Sequence, residues 1–288
     1  MIITKKAYAK INLYLDVMGQ RPDGYHDIKS VMQQVSLHDD VTVERDGLPG
    51  IRLLDMCDTL PCDENNIAYR CADVFLRHYD IREGVSIRIT KRIPISAGLA
   101  GGSTDGAAVL LALAELFSDN IPTDLDTLCT LGSTIGADIP FCIVGGCALT
   151  LGIGDHITPL DYTPDCRILL AKSGSGISTP QAYRMLDEKY SDRLKEDFAD
   201  FDGFLTSLHT DPVPVFLHNT FEDVILPIHD EAAMIRDILG ENDGMPLMSG
   251  SGPSVFGLFT DDYKLQRACM ELMKRHIEVY ICDPVSRF

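Results

Sequence analysis

A glycine-rich stretch that runs directly into a helical pattern constrains this chain more than any other feature. It reads Pro-Ile-Ser-Ala-Gly-Leu-Ala-Gly-Gly-Ser-Thr from Pro94 to Thr104, and an apolar pattern of helical period follows from Asp105 to Phe117. Glycines allow positive φ and a close approach of the backbone to a ligand, and Ser103 and Thr104 are residue types that cap helices. The first N–H groups of such a helix and its dipole favour a bound phosphate. A plain glycine-rich turn before an amphipathic helix explains the pattern equally well.

The spacing of these glycines excludes two better-known nucleotide loops. The stretch has neither the Gly-Lys-Ser/Thr ending of the Walker A loop nor the GxGxxG spacing of the dinucleotide fold. An alternating pattern from Val85 to Thr90 predicts a strand just before it. The order strand, glycine loop, helix favours a phosphate-binding loop of another design.

A strand with one buried face is predicted from Ala7 to Val17, where apolar and polar residues alternate. Side chains two apart share a face of a strand, so Lys10 and Asn12 lie side by side on the polar face. They are either solvated or line a site.

Asp138 stands between Gly136-Ala137 and an Ile-Pro-Phe run, after a helix predicted from Asp124 to Thr134. A carboxylate in apolar surroundings is costly without a partner. Asp138 is therefore either a cap on the following turn or a catalytic carboxylate that needs a nearby cation.

A turn-rich loop from Gly19 to His26 follows the first strand, and Tyr25 and His26 come directly after its Asp-Gly pair. By default they are a half-buried aromatic and a surface histidine, and the alternative is a pair that stacks on and hydrogen-bonds a planar ring. A second glycine loop begins at Met248, and the charged region from Lys189 to Val215 is expected to be solvated surface.

Composition limits the possible partners and the compartment. The net charge of −18 argues against binding of nucleic acid or of an anionic membrane, since both need a basic surface. Nine cysteines without a CxxC pair, Cys57 among them, are expected to be reduced thiols, and they give a zinc site little support. No signal-peptide pattern and no apolar run near the roughly 18 residues of a membrane span are present, so we expect a cytoplasmic protein.

Four segments, in this order, resemble the motifs of the GHMP small-molecule kinases: 7–13, 94–104, 136–140 and 249–253. Within that superfamily, the Arg-Pro-Asp-Gly-Tyr-His run at 21–26 is similar to that of the members acting on a cytidine-diphosphate-linked methylerythritol. The resemblance extends from about residue 5 to residue 260.

The resemblance implies an α+β fold of two domains, 1–160 and 161–288, with turn-rich residues 158–165 as the boundary. The first would be a ribosomal-protein-like domain with a left-handed βαβ crossover, and the second a ferredoxin-like domain. It also implies transfer of the γ-phosphoryl group of ATP, with Mg²⁺, to the 2-hydroxyl of the cytidine-linked substrate in the non-mevalonate isoprenoid route. A monomer and a homodimer both stay open.

By motif match, Lys10 and Asp138 would be the catalytic pair and Asn12 would contact the substrate. Tyr25 and His26 would hold the cytosine, with Thr179 and Tyr183 bordering the same pocket. Ser103 would also touch the magnesium ion. The residues expected to hold the ATP phosphates are Pro94, Ile95, Ser96, Ala97, Gly98, Leu99, Ala100, Gly101, Gly102, Ser103 and Thr104.

Two positions depart from the family pattern. Ala100 stands where glycine is common, which implies negative φ there, and Gly106 stands where alanine is usual, at a cost of about 1 kcal/mol in helix propensity. Neither position carries a reacting group.

Three other functions compete with this interpretation. A GHMP kinase for mevalonate, homoserine or a sugar would not need the Tyr25-His26 loop. A non-catalytic binding protein of the same fold would not need both Lys10 and Asp138. An RNA-binding module of ribosomal type is disfavoured by the net charge of −18.

Overall fold

In the computed structural model the chain forms two compact units that interleave along the sequence. Unit 1 consists of Met1–Ala9, Leu37–Pro94 and Ala100–Gly145, and unit 2 of Lys10–Ser36, Ile95–Leu99 and Gly146–Phe288. The structure describes residues 1–54, 60–119, 121–174, 177–190 and 199–287. The predicted division at residue 160 stays a prediction. Cys57 lies outside the described residues, and the eight described cysteines are not joined in disulfide bonds.

Two long strands contribute residues to both units. They are β1 (Ile2–Gln20) and β2 (His26–Glu44). The sequence pattern predicts two separate strands here, from Ile28 to Leu37 and from Asp40 to Glu44, whereas the structure has one continuous strand.

The described residues of unit 1 form four helices and one end of the sheet to which β1 and β2 belong. β3 (Ile51–Leu54) runs parallel to β4 (Val85–Thr90), and β4 is antiparallel to the second half of β2. The helices are α1 (Ile67–His78), α2 (Gly101–Leu116), α3 (Leu125–Ser133) and α4 (Ile139–Val144). Asn66 and Asp124 cap α1 and α3 through their side chains, as those residue types do.

The packing of α1 against α2 explains the glycine at 106. A Cβ added to Gly106 would lie 2.7 Å from Cys71 Sγ and 2.9 Å from Ile67 Cγ2. The glycine therefore permits an approach of the two helices that alanine would block, which offsets its lower helix propensity.

The described residues of unit 2 form the other end of that first sheet and a second sheet of four strands. In the first, β1 lies between β2 and β8 (His218–Asn219), and β2 pairs with β5 (Cys147–Leu151), which pairs with β6 (His156–Leu160). The second sheet is antiparallel, in the order β11-β7-β10-β9. Its strands are β7 (Arg167–Lys172), β9 (Met245–Met248), β10 (Val255–Phe259) and β11 (Glu278–Cys282).

The helices of unit 2 complete a ferredoxin-like arrangement. They are α5 (Thr179–Tyr190), α6 (Phe201–Thr210), α7 (Glu222–Ile225), α8 (Asp230–Glu241) and α9 (Asp262–Lys274). With helices between β7 and β9 and one helix between β10 and β11, the strands follow a β-α-β-β-α-β order, as the resemblance implies.

Helix α6 contradicts the expectation of a solvated surface between residues 189 and 215. Phe201 and Phe204 are buried there, and their rings pack on Tyr14 with centroids 4.9 and 5.1 Å away. Two aromatic side chains three residues apart form an apolar helix face, which the surrounding charges mask in the sequence. Residues 191–198 of that region lie outside the described residues.

No helix in the described part of the chain is both long and apolar enough to cross a membrane.

Candidate functional site

The Lys10 side chain is buried on the polar face of β1. The residue is 5% exposed, and its ammonium donates to Asn12 Oδ1 at 2.8 Å. Asn12 Nδ2 in turn donates to Ser30 Oγ at 2.9 Å, and that hydroxyl donates to the Tyr14 carbonyl at 2.6 Å. Within unit 2, no described carboxylate forms an ion pair with Lys10. The alternative of a solvated strand lysine is therefore wrong. The neutral amide of Asn12 orients the Lys10 ammonium, so the charge of the ammonium is free to meet an anion.

Two glycine loops meet beside Lys10 in unit 2. The hydroxyl of Ser249 donates to the Gly98 carbonyl at 3.1 Å, and a Cβ added to Gly98 would lie 2.3 Å from the Ser249 carbonyl oxygen. A Cβ added to Gly250 would lie 3.4 Å from Lys10 Nζ. The Lys10 N–H also donates to the Leu99 carbonyl at 3.2 Å. Hydrogen bonds and close packing thus place residues 98–99 and 249–250 around the lysine.

The start of α2 differs from two expectations for this segment: a negative φ at Ala100, and helix caps at Ser103 and Thr104. Ala100 has φ 57° and ψ 29°, so the expected negative φ is wrong. The chain reverses there into the helix, which costs a non-glycine residue about 1 kcal/mol. Ser103 and Thr104 are not caps either: they lie inside the first turn, and the Thr104 hydroxyl donates to the Tyr8 carbonyl at 2.6 Å.

No side chain of the described residues caps α2. The N–H of Thr104 already donates to the Ala100 carbonyl at 2.9 Å. The N–H groups of Gly101, Gly102 and Ser103 are left as the donors that a helix N-terminus offers to an anion.

Asp138 is half-buried at the N-terminal end of α4, and its side chain makes no capping hydrogen bond. The cap alternative therefore has no support in the geometry. The segment before it lies against the first turn of α2, because a Cβ added to Gly136 would lie 3.9 Å from Ser103 Oγ. Unit 1 thus brings the Asp138 segment and Ser103 together. Lys10 belongs to unit 2, and the catalytic pairing of Lys10 with Asp138 stays a prediction.

A cluster around His26 occupies another part of unit 2. His26 is 7% exposed, so the default of a surface histidine is wrong. Its ring stacks on Tyr183, with centroids 4.6 Å apart and planes at 23°, and its Nε2 lies 2.7 Å from Asp187 Oδ1. Phe221 packs edge-on against Tyr183 at 4.9 Å. Tyr25 is 61% exposed, which leaves its ring accessible.

Thr179 opens α5, and its hydroxyl hydrogen-bonds the Ser251 hydroxyl at 2.9 Å. This contact joins the helix that carries Tyr183 and Asp187 to the second glycine loop. Sequence reasoning missed Asp187. A carboxylate four residues after Tyr183 on a predicted helix was the available signal, since such side chains share a helix face.

Sequence reasoning also missed a buried charge cluster in unit 1. Lys91 Nζ donates to Asp39 Oδ2 at 2.5 Å and to Asp105 Oδ2 at 2.8 Å. Burial raises the pKa of Asp105 to about 7, with Lys91 opposing the shift and the Asp39 charge adding to it. Asp105 Oδ1 is buried without a hydrogen-bond partner in the described residues. The cluster joins β2 to residues on both flanks of the glycine loop.

Comparison with known proteins identifies the class to which this fold and these loops belong. A family model described as "GHMP kinases N terminal domain" matches residues 66–146. A crystal structure of a homoserine kinase from Cytophaga hutchinsonii superposes with a TM-score of 0.72 at 17% identity, over 99% of this chain and 96% of the other, which supports the fold alone. Both matches indicate that the class with this fold is that of the GHMP-type kinases.

Similarity over almost the whole chain narrows the class to one family. A 4-diphosphocytidyl-2-C-methyl-D-erythritol kinase from Lachnoclostridium phytofermentans is 40% identical over 274 residues, 94% of this chain and 92% of the relative. One from Clostridium botulinum (strain Eklund 17B) is 39% identical over 96% and 98% of the two chains. A crystal structure of 4-(cytidine 5'-diphospho)-2C-methyl-D-erythritol kinase superposes with a TM-score of 0.79 at 30% identity, over 98% and 99%. The chain belongs to the 4-diphosphocytidyl-2-C-methyl-D-erythritol kinase family.

Proposed function

We propose that this chain transfers the γ-phosphoryl group of ATP to the 2-hydroxyl of 4-diphosphocytidyl-2-C-methyl-D-erythritol. The observation that carries the proposal is the buried Lys10 ammonium, which Asn12 orients and which no described carboxylate of its unit neutralises. Phosphoryl transfer depends on positioning and on charge stabilisation more than on covalent chemistry. A fixed, desolvated cation stabilises negative charge that develops on the transferred group.

The loop from Pro94 to Thr104 fits the phosphates of ATP. Its contribution comes from the backbone: positive φ at Ser96, Gly98 and Ala100 turns the chain, and the uncapped N–H groups open α2. Aligned N–H groups and the helix dipole stabilise phosphate charge. Thr104 stabilises the shape of the loop and does not contact the phosphates itself, because its hydroxyl donates to the Tyr8 carbonyl and its N–H to the Ala100 carbonyl.

The same loop would suit a magnesium ion, which would offset phosphate charge there. Among the described residues, no group of three His, Cys, Asp or Glu side chains could form a protein cage for a metal. Mg²⁺ in kinases needs no such cage, because phosphates, waters and one or two protein oxygens satisfy it. The Ser103 hydroxyl, near Gly136 in the segment that leads to Asp138, is our proposed ligand. When bound, the ion offsets the charge of the phosphates.

Asp138 is our proposed general base. The 2-hydroxyl oxygen forms its bond to the γ-phosphorus as the bond to ADP breaks, and the hydroxyl proton passes to the Asp138 carboxylate. The absence of a capping hydrogen bond supports this role, because the carboxylate oxygens are not used to hold the turn.

The His26 cluster is our proposed cytosine pocket. Tyr25 offers an accessible ring for stacking, His26 offers hydrogen-bonding groups, and Tyr183 and Thr179 border the pocket. Asn12, between Lys10 and Ser30, would contact the reacting part of the substrate. A kinase for mevalonate, homoserine or a sugar has no base to place in such a pocket.

A coupled assay of ADP formation tests the function. The purified chain should turn over with 4-diphosphocytidyl-2-C-methyl-D-erythritol and at background rate with mevalonate or homoserine. Equal rates with all three would refute the substrate assignment. Asp138→Asn should lower kcat by roughly 100-fold or more while ATP still binds, and near-native turnover would remove Asp138 from the base role.

A further inference from the structure

Helix α5 holds the His26 imidazole on its face and on its edge. Tyr183 and Asp187 lie one helical turn apart, so both side chains project from the same side of the helix. Tyr183 covers one face of the imidazole ring, and Asp187 Oδ1 lies 2.7 Å from Nε2. The His26 side chain is 5% exposed and that of Asp187 33%. The orientation of the ring is thus determined by two contacts from one helix.

The contact with Asp187 decides which ring nitrogen carries the proton. An ionised carboxylate only accepts hydrogen bonds, so Nε2 must be the donor in this pair. In the neutral imidazole the other nitrogen, Nδ1, then has a free lone pair and can only accept. Without the carboxylate, either nitrogen could carry the proton.

An acceptor at Nδ1 distinguishes the two common pyrimidines. Cytosine carries an amino group at position 4, which donates, whereas uracil carries a carbonyl oxygen there, which accepts. Two acceptors facing each other leave both unpaired in a buried place, and this penalty rejects the wrong ligand more strongly than a lost contact would.

On the basis of the function proposed above, we propose that Asp187 is a positioning residue that sets the base specificity of this kinase. It keeps the proton of neutral His26 on Nε2, so that Nδ1 accepts from a 4-amino group and the enzyme selects a cytidine over a uridine nucleotide. Glu188 provides a matched control, because it is the next acid on α5 and is exposed.

The kinetic test uses the full chain at pH 8, with the cytidine substrate and its uridine-diphosphate counterpart. The native protein should prefer cytidine by about 100-fold or more in kcat/KM. Asp187→Ala should lower that preference by about tenfold, mainly through a higher KM for the cytidine substrate, with the KM for ATP unchanged. Glu188→Ala should change neither. An equal loss with both substrates, or no loss, would overturn the proposal.

A spectroscopic test needs neither activity nor a variant of Asp187. The ¹⁵N signals of the histidine side chains in the native protein report which ring nitrogen is protonated, and His26→Gln assigns the His26 signal among the eight histidines. The proton should be on Nε2, and a proton on Nδ1 of neutral His26 would refute the role of Asp187. A native protein inactive on the cytidine substrate would instead refute the function proposed above, whichever nitrogen is protonated.

Discussion

Ser249 donates its hydroxyl to the carbonyl oxygen of Gly98 at 3.1 Å, and the approach of the two residues leaves no room for a side chain at position 98. The first glycine loop is therefore shaped by a second glycine loop about 150 residues further along the chain, as well as by its own glycines.

Gly98→Ala should disturb this approach. Position 98 has φ +73°, and the new Cβ would lie 2.3 Å from the Ser249 carbonyl oxygen. We expect the free energy of unfolding in urea to fall by about 2 kcal/mol or more and the KM for ATP to rise. Gly47→Ala is the matched control: its φ is +77° with nothing within 4 Å, so only the backbone cost of about 1 kcal/mol applies. Equal losses in the two variants would show that the contact with Ser249 contributes nothing.

Gly106→Ala should destabilise the protein although alanine is the better helix former. The gain of about 1 kcal/mol in propensity competes with a Cβ placed 2.7 Å from Cys71 Sγ. We expect a net loss of about 1–3 kcal/mol in urea unfolding, reduced in a Cys71→Ala background, which removes the sulfur. Gly240→Ala in α8 would meet only Pro246 Cγ at 3.8 Å and should not destabilise. A Gly106→Ala protein more stable than the native one would contradict the close packing of α1 and α2.

Lys10→Met should separate activity from stability. Turnover should fall by roughly 1000-fold, because the charge that acts on the transferred group is gone. The free energy of unfolding should hold or rise, since a buried ammonium without an ion-pair partner in its unit is replaced by an apolar chain of similar length. Lys6→Met, an exposed lysine on the same strand, should leave kcat unchanged. If Lys10→Met unfolds the protein but spares kcat in what remains folded, the lysine is structural.

Asp105 should make stability depend on pH. Its pKa in the folded protein is raised to about 7, above the value of about 3.9 for an unfolded chain. A raised pKa means that the folded state binds the proton more tightly, so this stabilisation is complete below about pH 4 and is lost as pH rises through 7. The free energy of unfolding should fall by at most about 1.4 kcal/mol per pH unit in this range.

Urea unfolding of native protein and of Asp105→Asn at pH 5 and pH 8 measures this effect. The asparagine cannot titrate, so the variant should gain stability relative to the native protein as pH rises from 5 to 8. Asp126→Asn, which removes an exposed acid from the first turn of α3, should show no such gain. Parallel curves for Asp105→Asn and the native protein would mean that Asp105 is ionised throughout this range.

Local patterns determined much of the architecture. Alternation of polar and apolar residues placed Lys10 and Asn12 on one face of β1, because the side-chain period of a strand is two. The sequence predicts strand, glycine loop and helix in the right order around residues 85–117, and a helix from Asp124 to Thr134 where α3 lies. These features depend on residues within a few positions of each other, which a sequence displays directly.

Two expectations were wrong because the local pattern did not show how the chain turns or what a helix packs against. Ala100 adopts positive φ because the loop it closes must turn into α2, and a propensity for negative φ does not outweigh that. The charged pattern around α6, between Asp200 and Asp211, predicts a solvated surface, because the apolar side chains of α6 meet Tyr14 only in the fold.

The first glycine loop has some features that its sequence predicted and others that only the tertiary structure decided. Its composition and its place before a helix predicted an anion-binding backbone, since positive φ and free N–H groups are local properties. Its surroundings were decided by tertiary structure: Ser249 packs on Gly98, and Asp39 shares Lys91 with Asp105 across separations of 52 and 14 residues. Asp187 and His26, 161 residues apart, meet for the same reason. Which charges share a buried pocket follows from strand pairing and helix packing, and no period in the sequence encodes it.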